Sequence, residues 1–355
     1  MWMMNDDQSY FLQSDLIEAE VYLEESINFR LAGDYENSVN AVTRAIQLSP
    51  ANANYRFQRA STHFMHGHYE EAIADYSKVL ELEPDSNEIG IWDFTIAKIY
   101  LNRGTAYRYR GDYDSALADF TELIRLQPND AHHYVKRSVV YKLQGDFEKA
   151  FADLETLHRL APDDSNYLML VADIQIRQGN KIAALRSYDE QIIRFGTSAS
   201  YFYRGRLWNE QGNLSKAIAD FEKAIEIYPQ HYAASIELSK SYIANGDFMK
   251  AIDVLNEVLK GGPGYDYIAY LLRARAYRAL GNSDQASKDF DEAIRANTEA
   301  MAKYPPFTQG YAIRGHAYAA QGQIAEAVAD YKMALASDPI HSESVTMHDY
   351  ILMNS

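Results

Sequence analysis

The chain of 355 residues contains no cysteine. That single absence excludes disulfides, thiolate metal sites, cysteine nucleophiles and a lipid-anchored bacterial lipoprotein, which needs an acceptor cysteine. No apolar run approaches the roughly 18 residues that a spanning helix needs. The N-terminus, MWMMNDDQSYFLQSD, lacks the basic segment and long apolar core of a signal peptide. A cytoplasmic protein is therefore the expectation. Positive charge is scarce: 34 basic side chains stand against 50 acidic ones, a net charge of −16. That field repels nucleic acid and anionic membrane, so neither is the expected partner. Motifs of chemistry are missing too. HExxH and GxSxG do not occur, and the GGPG at 261–264 neither follows a strand nor precedes a Lys-Ser pair, so it is no phosphate loop.

What is present is a period. Gly33, Gly67, Gly111, Gly145, Gly179, Gly212, Gly246, Gly281 and Gly322 recur every 33 to 35 residues, except for gaps of 44 and 41. A period of this size marks a solenoid of stacked supersecondary units, one quasi-one-dimensional array rather than several domains. With the glycine numbered 15, nine repeats begin at Ala19, Ala53, Ala97, Ala131, Ser165, Ser198, Tyr232, Tyr267 and Thr308. Position 8 is always Gly, Ala or Ser, and position 20 is alanine except for Ser38. Position 24 is always apolar or aromatic, as in Tyr76, Phe120, Leu154 and Phe221, and position 11 is usually aromatic. Positions 4, 8 and 11, then 20, 24 and 27, follow helical spacing, so each repeat reads as two helices in close approach. The glycine suits a left-handed turn between them. Seven of nine prolines stand at position 32 and stop the second helix; Pro305 and Pro306 lie in a linker.

This pattern resembles the tetratricopeptide repeat, and YLNRGTAYRYRGDYDSALADFTELIRLQP, residues 100–128, lies close to the family consensus. The resemblance runs from about residue 19 to residue 339. It implies an all-α, right-handed superhelical solenoid of nine helix–turn–helix repeats, with the first helix of each pair lining an inner groove. Residues 1–18 are the expected N-terminal leader or cap, and 342–355 the expected C-terminal capping helix. Insertions near 87–96 and 301–307 interrupt the period. The first is expected to lengthen the first helix of repeat 3 and project Trp92 and Phe94; the second, to extend the second helix of repeat 8. Repeat 5 departs most, with Gln175 at position 11, Lys181 at 17 and Gly196 in place of the proline.

Arginine at position 7 and aspartate at position 23 occur together in repeats 2, 3, 4, 6, 8 and 9 and are both absent from repeats 1, 5 and 7. Co-occurrence implies an ion pair between helices, within a repeat or across neighbours. Setting these arginines aside leaves the groove positions the resemblance implies, 2, 5, 6, 9, 12 and 13 of the first helix. At position 9 the later repeats carry Arg206, Lys240, Arg275 and His316, after Ile27, Ser61, Thr105, Val139 and Asp173 in the earlier ones. Lys98, Asn102 and Lys136 stand at positions 2 and 6, with Arg108 and Lys142 at position 12, and Tyr109 and Tyr203 supply aromatic surface. A positive inner stripe on an acidic protein would draw an acidic segment.

The chaperone-binding members of the family grip a terminal carboxylate with lysine at 5 and asparagine at 9. Position 5 here runs Leu23, Phe57, Leu101, Val135, Met169, Phe202, Ile236, Leu271 and Ala312, and no repeat has asparagine at 9. That clamp is absent. His63, His66 and His68 have a spacing that invites a metal, but His63 fills a core slot and the others a turn, so the set reads as structural. His132 and His133 read as surface. With every long stretch spent on the repeat, the expectation is a non-enzymatic scaffold or adaptor, without a cofactor, that binds a protein segment in its groove. The alternative is a regulatory or inhibitory subunit that wraps one globular partner.

Overall fold

The computed structural model describes residues 6–82, 95–261, 264–303 and 308–337. These residues are all-α, and among them there is no strand. The helices follow as pairs: α1 (Asp6–Leu31) with α2 (Tyr35–Leu48), α3 (Ala53–Met65) with α4 (Tyr69–Glu81), α5 (Ile96–Arg110) with α6 (Tyr113–Leu126), and α7 (Ala131–Gln144) with α8 (Phe147–Leu160). α9 (Tyr167–Arg177) and α10 (Lys181–Arg194) follow over the residues of repeat 5. Then come α11 (Ser198–Glu210) with α12 (Leu214–Ile227), α13 (Tyr232–Asn245) with α14 (Phe248–Lys260), α15 (Asp266–Ala279) with α16 (Ser283–Lys303), and α17 (Thr308–Ala320) with α18 (Ile324–Ser337).

The turn within a repeat follows from two residues. Gly111 ends α5 at φ 83°, a left-handed conformation that costs a residue without Cβ little. The amides of Gly111 and Asp112 turn back to the carbonyls of Arg108 and Tyr107 at 3.1 and 2.9 Å, which satisfies the last free carbonyls. The Asp112 carboxylate then accepts from the Ser115 amide and caps α6. Gly145 and Asp146 repeat the arrangement between α7 and α8.

Close approach of the two helices follows from position 8. A Cβ on Gly205 would lie 2.9 Å from the Phe221 ring, and one on Gly104 would lie 3.0 Å from Phe120. Glycine at position 8 thus makes room for an aromatic at 24. Phe120 and Phe221 are fully buried by that contact, Tyr76 is fully buried in the repeat with Ala60 at position 8, and Ala72, Ala116 and Ala217 at position 20 are equally closed to solvent. Each such aromatic removes an apolar area worth roughly 1.5–3 kcal/mol from water.

The expected ion pair forms in all six repeats, within the repeat. Each arginine grips its aspartate through two parallel bonds, Nε to Oδ2 at 2.7–2.9 Å and Nη2 to Oδ1 at 2.6–2.8 Å. The remaining Nη1 reaches the second helix of the preceding repeat, donating to Thr43, Ser77, Thr121, Asp189, Asn256 and Thr298 at 2.6–3.2 Å. One guanidinium therefore fastens three helices. The carboxylates are buried, and at Asp119 burial raises the pKa against the lowering pull of Arg103, so the pair carries a desolvation cost. Repeat 7 replaces the pair with Leu238 and Val254, which join an apolar cluster with Phe221 and Tyr242.

Repeat 8 shows how the solenoid absorbs an insertion. α16 continues to Lys303, about two turns beyond its counterparts. Arg314 accordingly donates to Thr298, seven residues past the usual position, and Gln321 donates to Asp291, seven residues past Asp284, the counterpart of the Asp114 that Gln144 reaches. Seven residues are close to two helical turns, so the face presented to repeat 9 is unchanged. At the other insertion the outcome differs from expectation. α5 begins at Ile96, where Thr95, extended at φ −119° and ψ 159°, caps the Lys98 amide and stops any extension towards the N-terminus. Trp92 and Phe94 lie outside the described residues, as does the stretch 342–355. The leader, by contrast, is helical from Asp6 and continuous with the first helix of repeat 1.

The chain divides into two compact halves, Met1–Asn180 and Lys181–Ser355. The division falls in the turn of repeat 5, which has no arginine–aspartate pair, no aromatic at position 11 and no proline at 32. α9 is also short, and its N-cap residue Asn166 makes no side-chain capping bond.

Candidate functional site

In the C-terminal half the first helices α11, α13, α15 and α17 touch one another in order and form a continuous inner surface. A cavity of about 380 Å³ opens on it. Its wall takes Phe202 and Arg206 from α11, Ile236 and Lys240 from α13, Ile268 from α15 and Ile313 from α17. Tyr265 and Tyr267 close one side. Two rungs of the basic row, Arg206 and Lys240, therefore share one hollow, whose lining also includes Asn209, Glu210 and Glu237.

Their electrostatic states differ. Lys240 Nζ donates to Glu237 at 2.9 Å, a turn away on the same helix. Glu210, also on the wall, faces Lys181 at 3.5 Å. Arg206 is exposed, leans over the Phe202 ring at 5.8 Å, and among the described residues makes no ion pair. Both carboxylates of the hollow are thus matched, and the surplus charge is positive. Arg275 continues the row on α15, half-buried. His316 on α17 is held by the Tyr331 hydroxyl, 2.8 Å from Nδ1, so this rung is tied to the core. Tyr203 lies beside the row, 38% exposed, its ring parallel to that of Tyr188 at 6.4 Å.

The N-terminal half uses the same positions differently. Ser61, at position 9, lies 3.2 Å from the Tyr76 hydroxyl, and Asn102 donates to that hydroxyl from α5 at 3.2 Å. Thr105 turns its hydroxyl to the Leu101 carbonyl at 2.6 Å. Lys142 pairs with Asp173, which neutralises a charge that the sequence suggested was available to a ligand. Lys98 is half-buried, 6.0 Å from the Phe57 ring, and Lys136 is exposed. Arg108 stacks over Tyr109 at 4.1 Å, and Tyr109 lies parallel to Tyr69 at 5.1 Å. Leu31, Met65 and Tyr109 at position 13 are all more than half exposed, an apolar edge along successive repeats.

The histidines resolve into structure. Tyr35 hydroxyl meets His63 Nδ1 at 2.9 Å, His68 stacks on the Tyr35 ring at 4.5 Å, and His66 Nδ1 lies 2.9 Å from the Thr62 carbonyl. Among the described residues no group of three His, Asp or Glu side chains could hold a metal ion. His133 corrects the surface reading: it is 7% exposed and bonds Gln127 at 2.8 Å, while His132 is exposed as expected. Burial pushes the His63, His133 and His231 imidazoles below the usual histidine range. Missed from sequence was the apolar floor, Phe202, Ile236, Ile268 and Ile313. The signal lay at positions 2, 5 and 6, where groove positions hold bulky apolar side chains in the later repeats.

Stacked helix pairs with a lined inner surface define a class, the helical-repeat interaction scaffold. Tetratricopeptide repeat profiles match residues 53–86, 97–130, 169–232, 209–271 and 271–342, and the chain belongs to that family. It is 24% identical to human DnaJ homolog subfamily C member 7 over 95% of its length and 70% of that protein. It is 33% identical to rat DnaJ homolog subfamily C member 3 over 108 residues, 30% of this chain but only one fifth (20%) of that protein. Among solved structures, a tetratricopeptide repeat protein from Parabacteroides merdae has a TM-score of 0.51 at 18% identity, covering 73% of this chain and 98% of that one. A monomeric IFIT1 mutant with m7Gppp-AAAA also scores 0.51, at 15% identity over 99% of this chain and 88% of that one. At such identities the likeness is one of fold. No described helix is long and apolar enough to cross a membrane.

Proposed function

We propose that the protein is a non-enzymatic interaction scaffold that holds a segment of a protein partner against the inner face of its C-terminal half, with Arg206, Lys240 and Arg275 as the contact row. The observation that carries this reading is the division of labour among cations. Six position-7 arginines are consumed as three-helix fasteners, while Arg206 stays exposed and, among the described residues, without an ion pair, beside a hollow with an apolar floor. Binding through several repeats suits the family's architecture, since each repeat contributes one helix to the surface. Relatives that are DnaJ homologues support a protein as the partner; the carboxylate clamp of chaperone binders is not built by these residues.

Affinity capture from native lysate, comparing the wild type with Arg206→Glu/Lys240→Glu/Arg275→Glu, tests the reading. Loss of a partner by a variant that keeps its helical circular dichroism supports it. Retention of every partner moves binding to another face. The exposed edge of Leu31, Met65 and Tyr109 would then favour a regulatory subunit that wraps a globular partner across the N-terminal half.

A further inference from the structure

The chemistry of the hollow is narrower than that of a general peptide groove. Its volume, about 380 Å³, is at the low end for ligand pockets and matches one or two large side chains. Its floor is apolar, with Phe202, Ile236, Ile268 and Ile313 drawn from four successive repeats. Tyrosines 265 and 267 stand at one side and Arg206 at the rim. Two occupants fit such a lining in principle: a cation enclosed by aromatics and glutamates, or an apolar side chain next to a carboxylate. The ion pairs separate them. Glu237 already holds Lys240, and Glu210 faces Lys181, so neither carboxylate is left to receive a cation. Arg206 has no such partner among the described residues.

Resting on the groove reading above, we infer that this hollow receives a bulky apolar or aromatic side chain of the partner, and that an acidic residue beside it in the partner pairs with Arg206. The recognised element is an acidic–hydrophobic segment. The apolar side chain supplies the burial, and the carboxylate supplies direction, since a guanidinium binds a carboxylate through two parallel bonds only in one plane.

The test uses the full chain and three short fluorescein-labelled peptides of matched length. One has a phenylalanine flanked by glutamates, the second replaces phenylalanine with serine, and the third replaces the glutamates with lysines. Fluorescence anisotropy is expected to show the Glu/Phe peptide binding at least about tenfold tighter than either of the others, the effect of burying one aromatic side chain or of matching one charge. Arg206→Glu is expected to erase the preference for glutamate over lysine while keeping that for phenylalanine over serine. Ala233→Trp, which fills the hollow from α13, is expected to do the reverse. Circular dichroism checks that both variants fold.

Equal binding of the glutamate and lysine peptides overturns the inference, as does wild-type binding that neither variant alters. So does failure of all three peptides to bind. If peptides fail while the triple charge reversal still loses a native partner, the groove reading stands and this ligand chemistry falls. If the peptides behave as expected but native partners are retained by the triple variant, the hollow is a real site and the groove reading of the native complex falls.

Discussion

The two halves of the molecule are built alike and finished differently. Both carry the arginine fasteners, three in each half, with the same bidentate geometry. Both place position 9 of the first helix at one surface. In the N-terminal half that row is turned inward: Ser61 bonds Tyr76, Thr105 bonds its own helix, and Asp173 is neutralised by Lys142 from position 12. In the C-terminal half Arg206, Lys240 and Arg275 occupy the row, and behind the first two the floor is apolar. The difference arises partly at position 24. A tyrosine there sends a hydroxyl to the row and ties a residue down, as Tyr76 does with Ser61 and Tyr331 with His316. Phe221, Leu255 and Phe290 have no hydroxyl to send, so Arg206, Lys240 and Arg275 are not held that way. A hydroxyl at position 24 is thus one way a surface position is tied to the fold; Thr105, opposite Phe120, is turned inward by its own helix instead.

The largest expected effect would break the comparison outright. Arg206→Glu/Lys240→Glu/Arg275→Glu should weaken partner capture by about a hundredfold or more, since three charge contacts are reversed. Lys98→Glu/Lys136→Glu in the N-terminal half should change capture by less than about threefold. Quantitative pull-down of both variants measures the contrast, and equal losses would show that the halves are not specialised.

The fasteners should ignore the comparison, and that is the next test. Arg137→Ala leaves the Asp153 carboxylate buried without its cation and should cost about 3 kcal/mol by chemical denaturation. Arg204→Ala in the other half should cost a similar amount. Repeat 7 suggests the control, because Leu238 and Val254 stand there in place of the pair. Arg137→Leu/Asp153→Val should recover most of the loss, because well-packed apolar pairs often match a buried ion pair. A double-mutant cycle on Arg137 and Asp153 that shows no coupling would defeat the structural role.

A smaller effect concerns acid. His63, His133 and His231 have pKa values lowered by burial, so the folded chain binds fewer protons than the unfolded one. Stability they contribute is present above the unfolded histidine pKa of about 6.5 and is lost as pH falls below it. Melting temperature should drop between neutral pH and mildly acidic pH. His63→Gln, which cannot take up that proton, should flatten the drop. The histidines lie in both halves, so acid should loosen both.

Much of this was legible in the sequence for a physical reason. A repeat shows each position nine times, so covariation becomes visible inside one chain. That is how Arg137 and Asp153 declared themselves partners, and how glycine at 15 announced a left-handed turn. What stayed hidden was chemistry spread over dissimilar residues. The third bond of each fastener goes to Thr43, Ser77, Asp189 or Asn256, a set united only by a short side chain with an oxygen acceptor. The Lys142–Asp173 pair occurs once, so no period flagged it. The hollow needed four repeats in space before its apolar residues could be recognised as one surface. Thr95 ended α5 where the ten-residue insertion suggested continuation, because a cap is a local choice that outweighs the helical pattern beyond it.

The smallest effect sharpens the row itself. His316 continues the sequence pattern of Arg206, Lys240 and Arg275, yet its Nδ1 lies 2.8 Å from the hydroxyl of Tyr331, which is 2% exposed. If that bond fixes His316 for the fold, Tyr331→Phe should cost about 1 kcal/mol, the net worth of one hydrogen bond. It should release the imidazole without altering partner capture. The reciprocal change, Leu255→Tyr with Ser239→Gly to make room for the ring as Gly315 does for Tyr331, tests the rule behind it by placing a hydroxyl beneath Lys240. Capture should then weaken a few-fold while the fold persists, since the added hydroxyl competes for a single rung. Should Leu255→Tyr leave capture unchanged, position 24 does not govern the row. The halves would then differ only in which residues stand at position 9.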